Sequence, residues 1–384
     1  MTVNGFSTLQ IGMGWFSEQP GGLNRFYQEL LQNLPYAGVG ARGLVTGSPA
    51  VDRDSHGMVT TFASSSEPLP LRMWKSRRAV GSALEDNSLD LAVSHFALYT
   101  FPALDRISSK LPLVVHFQGP WASEGGVEGR RGLNTRAKAA LERAVYRHGA
   151  RFIVLSQAFG EVLHREYGVP EEVIRVVPGA VEVDLYDTGV SRAEARERLG
   201  WPGDRPVILA VRRLARRMGL EDLIGSFVQV RERVPDALLM IAGKGPLSED
   251  LDRKIRHLEL EDDVRLLGFV PDEDLPLAYR AADLTVVPTV ALEGFGLITV
   301  ESLAAGTPVL VTPVGGLPEV VRDLSPSLVL PGTGSGPLGE GIVSALNGEL
   351  ELPEAGECRD YARARYDWPV IAGRVSEVYR EALK

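Results

Sequence analysis

The sequence predicts an α/β protein of two similar domains, each built on a parallel sheet. Three observations carry this. Short apolar runs alternate with segments of helical period along the whole chain, the pattern of βαβ units. At 384 residues the chain can bury two cores. A polar interlude, Gly189–Pro206, holds a short helix at Arg192–Leu199 and the turn-rich Trp201-Pro-Gly-Asp-Arg-Pro206, and the pattern restarts after it.

In the first half the apolar runs predict strands at Leu9–Met13, Ala41–Val45, Leu89–Val93, Pro112–Phe117, Phe152–Leu155 and Ile174–Val177. Helical periodicity predicts helices at Leu23–Leu34, Ser76–Leu84, Arg130–His148 and Phe159–Tyr167. Ser64-Ser-Ser-Glu-Pro-Leu-Pro70 reads as a loop. In the second half strands are expected at Val207–Val211, Ala237–Ala242, Val264–Leu267, Asp283–Val287, Val309–Thr312 and Leu328–Leu330. The division expected is 1–188, a linker zone 189–206, a second domain 207–367, and a closing segment 368–384 whose helix, Val370–Leu383, follows a bend at Trp368-Pro369.

Composition narrows the function. A formal charge of −9 argues against a nucleic-acid partner, which calls for a basic face. Cys358 is the single cysteine, so neither a disulfide framework nor a cysteine metal site is expected. The six histidines are scattered with no metal-binding spacing, and no bound metal is expected. The start, Met1-Thr-Val-Asn-Gly-Phe, lacks the pattern of a signal peptide, and no apolar run is long enough to span a bilayer. A cytoplasmic enzyme is the expectation.

The most informative stretch is Thr289-Val-Ala-Leu-Glu293-Gly-Phe-Gly-Leu-Ile-Thr-Val-Glu301. It follows the apolar run Leu284–Pro288, turns tightly at Gly294-Phe295-Gly296, and opens a helix at Leu297 that stops at Gly306-Thr-Pro308. A helix N-terminus at the carboxyl end of a parallel strand offers free N–H groups to a phosphate. Side chains lean toward the helix N-terminus, so Glu301 reaches back beside that phosphate while Glu293 stays in the loop. Two acids flanking an anion cradle suit a sugar diphosphate, whose hydroxyls donate to them. The plain alternative is a loop and half-buried helix with solvated acids, because two glutamates at this spacing are common.

This run resembles the E-x7-E element of the retaining GT-B glycosyltransferases of the glycosyltransferase 4 family. Glu293 and Glu301 match its two acids, Gly294-Phe295-Gly296 its loop, and Ser302 to Glu319 its next strand and turn. The resemblance covers nearly the whole chain, most strongly from Val207 to Glu319. It implies two Rossmann-like, doubly wound domains facing each other across a cleft, the first for the acceptor and the second for a nucleotide-sugar donor. The last helix would cross back to the first domain. Acceptor pockets would come from loops such as Ser55–Pro70 and Ala122–Gly132.

The resemblance also assigns residues. Pro20-Gly21-Gly22-Leu23 reads as an ordinary turn or as the family's first glycine loop, where Gly22 would approach the donor diphosphate. His116, at the end of a strand, is a structural residue by its type alone, and by resemblance a sugar-binding and transition-state residue. Ser156 reads as a helix N-cap. Val177-Pro-Gly-Ala-Val-Glu182 looks like a variant of the family's Pro-Asn-Gly-Val-Asp turn. Arg212-Arg213-Leu-Ala-Arg216-Arg217-Met218-Gly219 places arginines, whose planar forks suit phosphate oxygens, after the first strand of the second domain. Arg213 matches the family's diphosphate-binding arginine, with Arg212 beside it. Met218 stands where the family has a lysine, so Arg217 or Arg216 must substitute. Gly243 and Gly245 match segments near the phosphates and ribose, and Val270 one near the base. Phe295, Gly296, Leu297 and Glu301 complete the donor site, with Glu301 on the ribose.

The activity implied is metal-independent, retaining transfer of a sugar from a nucleotide-diphosphate sugar to an acceptor hydroxyl, without a further cofactor. His116, Glu293 and Arg213 are the catalytic candidates, and the acceptor is a sugar, a lipid or a small molecule. The second reading is a GT-B-like nucleotide-binding protein with little or no turnover. A sugar-nucleotide epimerase fits the E-x7-E run less well, and a nicotinamide-dependent oxidoreductase lacks its G-x-G-x-x-G fingerprint. Arg130, Arg131, Arg136, Lys138, Arg143, Arg147 and Arg151 concentrate positive charge around one helix. A solvated face is the first reading of that charge, and peripheral contact with a lipid surface the second.

Overall fold

The structure, a computed structural model, describes residues 5–121 and 133–384. The chain divides into two compact units, Met1–Gly179 with Trp368–Lys384, and Ala180–Asp367.

The first unit is built on seven parallel strands: β1 Phe6–Gly14, β2 Val39–Thr46, β3 Val59–Ala63, β4 Leu91–Ser94, β5 Leu113–Phe117, β6 Gly149–Val154 and β7 Ile174–Val176, in the order β3-β2-β1-β4-β5-β6-β7. Strands β4, β5 and β6 are apolar on both faces, as a sheet covered by helices on each side requires: Ala92 and Val93, Val114 and Val115, and Ile153 and Val154 are all buried. The central β1 buries Leu9 and Ile11 on one face and the polar Thr8 and Gln10 on the other. β3 falls within the stretch expected as an acceptor loop. It is an edge strand paired only to β2, and its two threonines mask the apolar run that marks the others. The following helix, Leu69–Ala83, begins well before the expected Ser76, with Pro70 tolerated in its first turn. The expected helix Arg130–His148 is described as Leu133–Tyr146; Arg130, Arg131 and the stretch Ala122–Gly132, expected as an acceptor loop, lie outside the described residues. Ser156 caps the helix Gln157–Tyr167, its hydroxyl accepting from Phe159 N at 3.2 Å.

The closing helix, Trp368–Ala382, belongs to this first unit. Pro369 sits in its first turn, so the helix starts at the expected bend. Trp368 Nε1 donates to Glu29 at 3.1 Å, and Glu381 accepts from Arg175 Nη2 at 2.8 Å. Tyr379 is fully buried beside β1 and β5.

The second unit holds five parallel strands, β8 Val207–Val211, β9 Leu238–Ala242, β10 Val264–Gly268, β11 Leu284–Val287 and β12 Val309–Val311, in the order β10-β9-β8-β11-β12. The strand expected at Leu328–Leu330 is a 3-10 turn, Pro326–Leu328, with a single bridge from Val329 to Val311. Leu328 N and Val329 N are spent inside the turn, on Ser325 O and Pro326 O, so only Leu330 N reaches the sheet, at Val311 O. Residues 189–206, expected to link the domains, pack inside this unit. The helix Arg192–Leu199 carries a Ser191/Glu194 capping box, and buried Arg196 donates to Ala281 O at 2.9 Å and to Asp283 at 2.5 Å. Among the described residues no helix is long and apolar enough to cross a membrane, and no three His, Cys, Asp or Glu side chains come together as a metal site would need.

Candidate active site

In the second unit the order of strands reverses between β8 and β11, which lie side by side. Open α/β sheets hold ligands at the carboxyl ends of strands at such a reversal. The two segments leaving these strands, Arg212–Gly219 and Pro288–Gly296, are cross-braced. Val290 N donates to Arg217 O at 3.0 Å, and Arg217 Nη1 donates to Leu292 O at 2.9 Å. Gly219 packs so tightly on Pro288 that an added Cβ would sit 1.8 Å from its carbonyl oxygen.

Arg212 and Arg213 part ways here. Successive residues leaving a strand point to opposite sides. Arg212 turns inward and is buried; its Nη2 donates to Glu293 Oε2 at 2.6 Å and to the hydroxyl of Thr289. Arg213 is exposed and has no side-chain partner among the described residues. Met218, in the lysine position, is buried, so that position turns into the core. Arg216 points outward beside Glu221 at 3.8 Å, while half-buried Arg217 lies against the loop that carries Glu293.

Glu293 is fixed through its main chain as well. Gly316 N donates to its carbonyl at 3.0 Å, and Gly315, with φ +56°, approaches the same carbonyl so closely that a Cβ would come within 1.9 Å. Leu292 before it has φ +50°, rare for a branched residue. Gly296 caps the helix Leu297–Ala304 in the left-handed region. The first-turn amides of a helix have no intrahelical partner, and the buried Thr299 hydroxyl in that turn has no protein partner either. Phe295 does not face this turn; its ring packs in the core, 5.6 Å from that of Tyr366. Glu301, largely buried, accepts from the Tyr279 hydroxyl at 2.8 Å, and that phenol is pushed well above its ordinary range by burial and by the Glu301 charge.

The other donor candidates lie along the same edge. Gly243 N donates to Gly268 O at 2.6 Å, and Gly243 abuts the Arg212 carbonyl. Gly245 is next to Leu214 O. Val270 is half-buried after β10, and exposed Phe269 beside it carries the Lys244 ammonium 5.0 Å over its ring.

In the first unit the reversal falls between β1 and β4. Gly22 begins the helix Gly22–Asn33, with nothing within 4 Å of where its Cβ would stand. His116, on β5, is buried and stacks on His95, which follows β4, with ring centroids 4.3 Å apart. The hydrogen bonds settle one tautomer. Thr8 donates its hydroxyl to Gly40 O at 2.9 Å, so it accepts from Gln10 Nε2 at 2.8 Å. That turns Gln10 Oε1 to His95 Nε2 at 2.7 Å, and an acceptor there requires the proton on Nε2. His116 Nε2 meets the Tyr379 hydroxyl at 2.8 Å. The Nδ1 atoms of both rings are buried without a protein partner. Burial drives His116 down to about 3 and, with the neighbouring imidazole, holds His95 well below the usual range.

Sequence reasoning overlooked Thr289, Tyr279, Gly315, His95 and Tyr379. His95 offered the same signal as His116, a histidine where a strand ends. Tyr279 and Tyr379 offered none, since each looks like one more core aromatic in an amphipathic helix.

Comparison with known proteins agrees with this layout. The family model described as Glycosyltransferase Family 4 matches residues 20–185, and that described as Glycosyl transferases group 1 matches 191–365. A D-inositol 3-phosphate glycosyltransferase of Corynebacterium kroppenstedtii is 30% identical over 65% of this chain and 57% of its own length. A GDP-mannose-dependent alpha-(1-6)-phosphatidylinositol monomannoside mannosyltransferase of Mycolicibacterium smegmatis is 31% identical over 54% of this chain and 56% of its own. The chain thus spans about half the length of the curated relatives it matches. Among solved structures, sucrose-phosphate synthase of Thermosynechococcus elongatus superposes with a TM-score of 0.78 at 22% identity, covering 98% of both chains. Anabaena HepE in complex with UDP gives a TM-score of 0.78 at 21% identity, over 98% of this chain and 100% of that one. With one of these two family models over most of each unit and the same pair of Rossmann-like sheets in its structural relatives, the chain belongs to glycosyltransferase family 4 and has the GT-B fold.

Proposed function

We propose that this protein transfers a sugar from a nucleotide-diphosphate sugar to an acceptor hydroxyl with retention of configuration, needing neither a metal ion nor a further cofactor. One observation carries the reading. At the strand reversal of the second unit, the neighbouring ends of β8 and β11 bear an exposed, unpartnered Arg213 and the Glu293–Gly296 turn that opens a helix. A guanidinium and helix-terminal amides together match a diphosphate.

As the glycosidic bond breaks, negative charge builds on the departing diphosphate. Arg213, Arg217 and the amides of Gly296 and Leu297 stabilise it, and donors fixed in advance lower the barrier directly. The acceptor oxygen attacks the anomeric carbon on the face the diphosphate leaves, and its proton passes to the departing phosphate oxygen. Glu293 holds sugar hydroxyls, Glu301 the ribose, and backbone at Val270 the base. His116 binds a sugar hydroxyl. The names of the relatives support a nucleotide-sugar donor and an acceptor that is a sugar or an inositol, free or lipid-linked. The exposed Arg136, Arg143 and Arg147 suit contact with an anionic lipid surface.

A panel of nucleoside diphosphates and their sugars tests this by thermal shift, since a ligand that binds the folded state raises its Tm. The expected result is stabilisation by one base, with release of sugar or its transfer from the matching donor. No stabilisation by any of them overturns the reading. Buried Met218 in the lysine position favours a second reading, a binding protein without turnover; stabilisation by donor with no release or transfer would support that one.

A further inference from the structure

The geometry points to Arg212 as a positioning residue for Glu293, one that aims the carboxylate at the donor sugar and leaves the diphosphate to Arg213. This rests on the proposed role of Glu293 in gripping that sugar.

Arg212 is held at its main chain and at one nitrogen of its head, Nη2, while its buried Nε has no protein partner. Its main-chain N–H donates to Ala242 O at 2.8 Å, and Gly243 abuts its carbonyl, where a Cβ would come within 1.9 Å of the oxygen. Its head is oriented by the hydroxyl of Thr289, a fully buried residue whose own carbonyl accepts from Thr312 Oγ1 at 2.6 Å. From that anchor a single nitrogen, Nη2, reaches Glu293 Oε2 at 2.6 Å. The other carboxylate oxygen, Oε1, has no partner among the described residues and remains for a hydroxyl. With the Glu293 main chain pinned by Gly316 N, the acid is fixed at both ends. A group held in its reactive orientation needs no rearrangement when the substrate arrives.

An ordinary structural ion pair would also explain a buried contact. Here, however, the two segments are already joined by Val290 N to Arg217 O, by Arg217 Nη1 to Leu292 O and by the close packing of Gly219 on Pro288. What Arg212 adds is the direction of one carboxylate.

The test is a double-mutant cycle on the full-length protein, with UDP-glucose and GDP-mannose as donors and UDP and GDP as controls. Arg212→Met is expected to slow sugar release about 100-fold while nucleoside-diphosphate affinity stays within about twofold. In a Glu293→Gln background the same change should cost less than about threefold more, because both act through one carboxylate. Thr289→Val keeps the charge and only frees the guanidinium. It should lower kcat about fivefold with UDP or GDP affinity unchanged, a split that a purely structural role would not produce. Loss of UDP or GDP affinity in step with turnover would make Arg212 a phosphate ligand, and additive costs would break its link to Glu293; either overturns the inference. If Arg212→Met fails to fold, Thr289→Val and Arg212→Lys decide it, and normal turnover in both overturns it. If the wild type binds donor without turnover, the readout becomes its preference for UDP-glucose over UDP or GDP-mannose over GDP, which Arg212→Met must abolish. A wild type that binds no nucleotide removes the functional reading and this inference together.

Discussion

The hydroxyl of Tyr279 donates to Oε2 of Glu301 at 2.8 Å, tying the helix Leu275–Ala281 to the helix that the Gly296 turn opens. The second acid of the E-x7-E run is therefore oriented from behind by a buried phenol. Tyr279→Phe keeps the shape and removes the donor. Losing a hydrogen bond to a charged group costs about 1.5–3 kcal/mol, so Tm should fall by several degrees. Nucleoside-diphosphate affinity should weaken about tenfold if Glu301 holds the ribose. A lowered Tm with unchanged affinity would restrict the bond to a structural role.

Glu293 and Arg213 should separate in their effects. Arg213 is exposed and unpartnered, so Arg213→Met leaves Tm almost unchanged. Its turnover should drop about 100-fold or more, with nucleoside diphosphate bound more weakly. Glu293→Gln should lose about as much turnover and keep its nucleoside-diphosphate affinity. Unchanged turnover in either variant would remove that residue from the mechanism.

Two glycines make a contrast. An alanine at Gly315 would meet the Glu293 carbonyl at 1.9 Å in a left-handed conformation, so Gly315→Ala should lower both Tm and turnover. An alanine at Gly22 meets nothing within 4 Å, and alanine is the better helix former. Gly22→Ala should be as stable as wild type, or about 0.5 kcal/mol more so. Its only penalty should be a higher KM for the donor, measured by initial rates. An unchanged KM would show that no diphosphate approaches Gly22.

The stacked imidazoles give the first unit an acid sensitivity. His95 and His116 are buried neutral, with folded-state pKa values depressed, His116 to about 3. Above an unfolded value of about 6.5, neither state binds protons there and the pair has no effect. As pH falls below that value the unfolded chain takes up protons that the folded chain refuses. Stability then falls by at most about 1.4 kcal/mol per pH unit for each ring. For His116 this continues to about pH 3. Urea unfolding from pH 7.5 to 5 should show a shallower loss for His116→Gln than for wild type. Parallel profiles would mean that the rings do not set this slope.

Much of the fold was legible because its signals are local. Eleven of the twelve strands in the two sheets lie where apolar runs between turn residues place them, among them β5 at His116 and β11 before Glu293. β3 escaped because an edge strand buries less and tolerates Thr60 and Thr61, and its neighbour pattern was read as loop. Thr46 at the end of β2 and Ser7-Thr8 near the start of β1 lay beyond their apolar runs because they are polar, although Thr8 and Thr46 are buried. Ser156 was legible as a cap because capping is decided within three residues.

By itself the sequence determined that two parallel sheets form and that Glu293, Glu301 and a row of arginines follow particular strands, since periodicity and turn chemistry act over a few residues. Only the tertiary structure decided that β8 and β11 are neighbours at the strand reversal, that Arg212 turns inward to Glu293 while Arg213 stays free, that Met218 lies in the core, and that His116 stacks on His95 under Tyr379. Adjacent arginines are equivalent in a sequence. Which one is buried depends on the residues that stand opposite, and those come from segments far away in the chain.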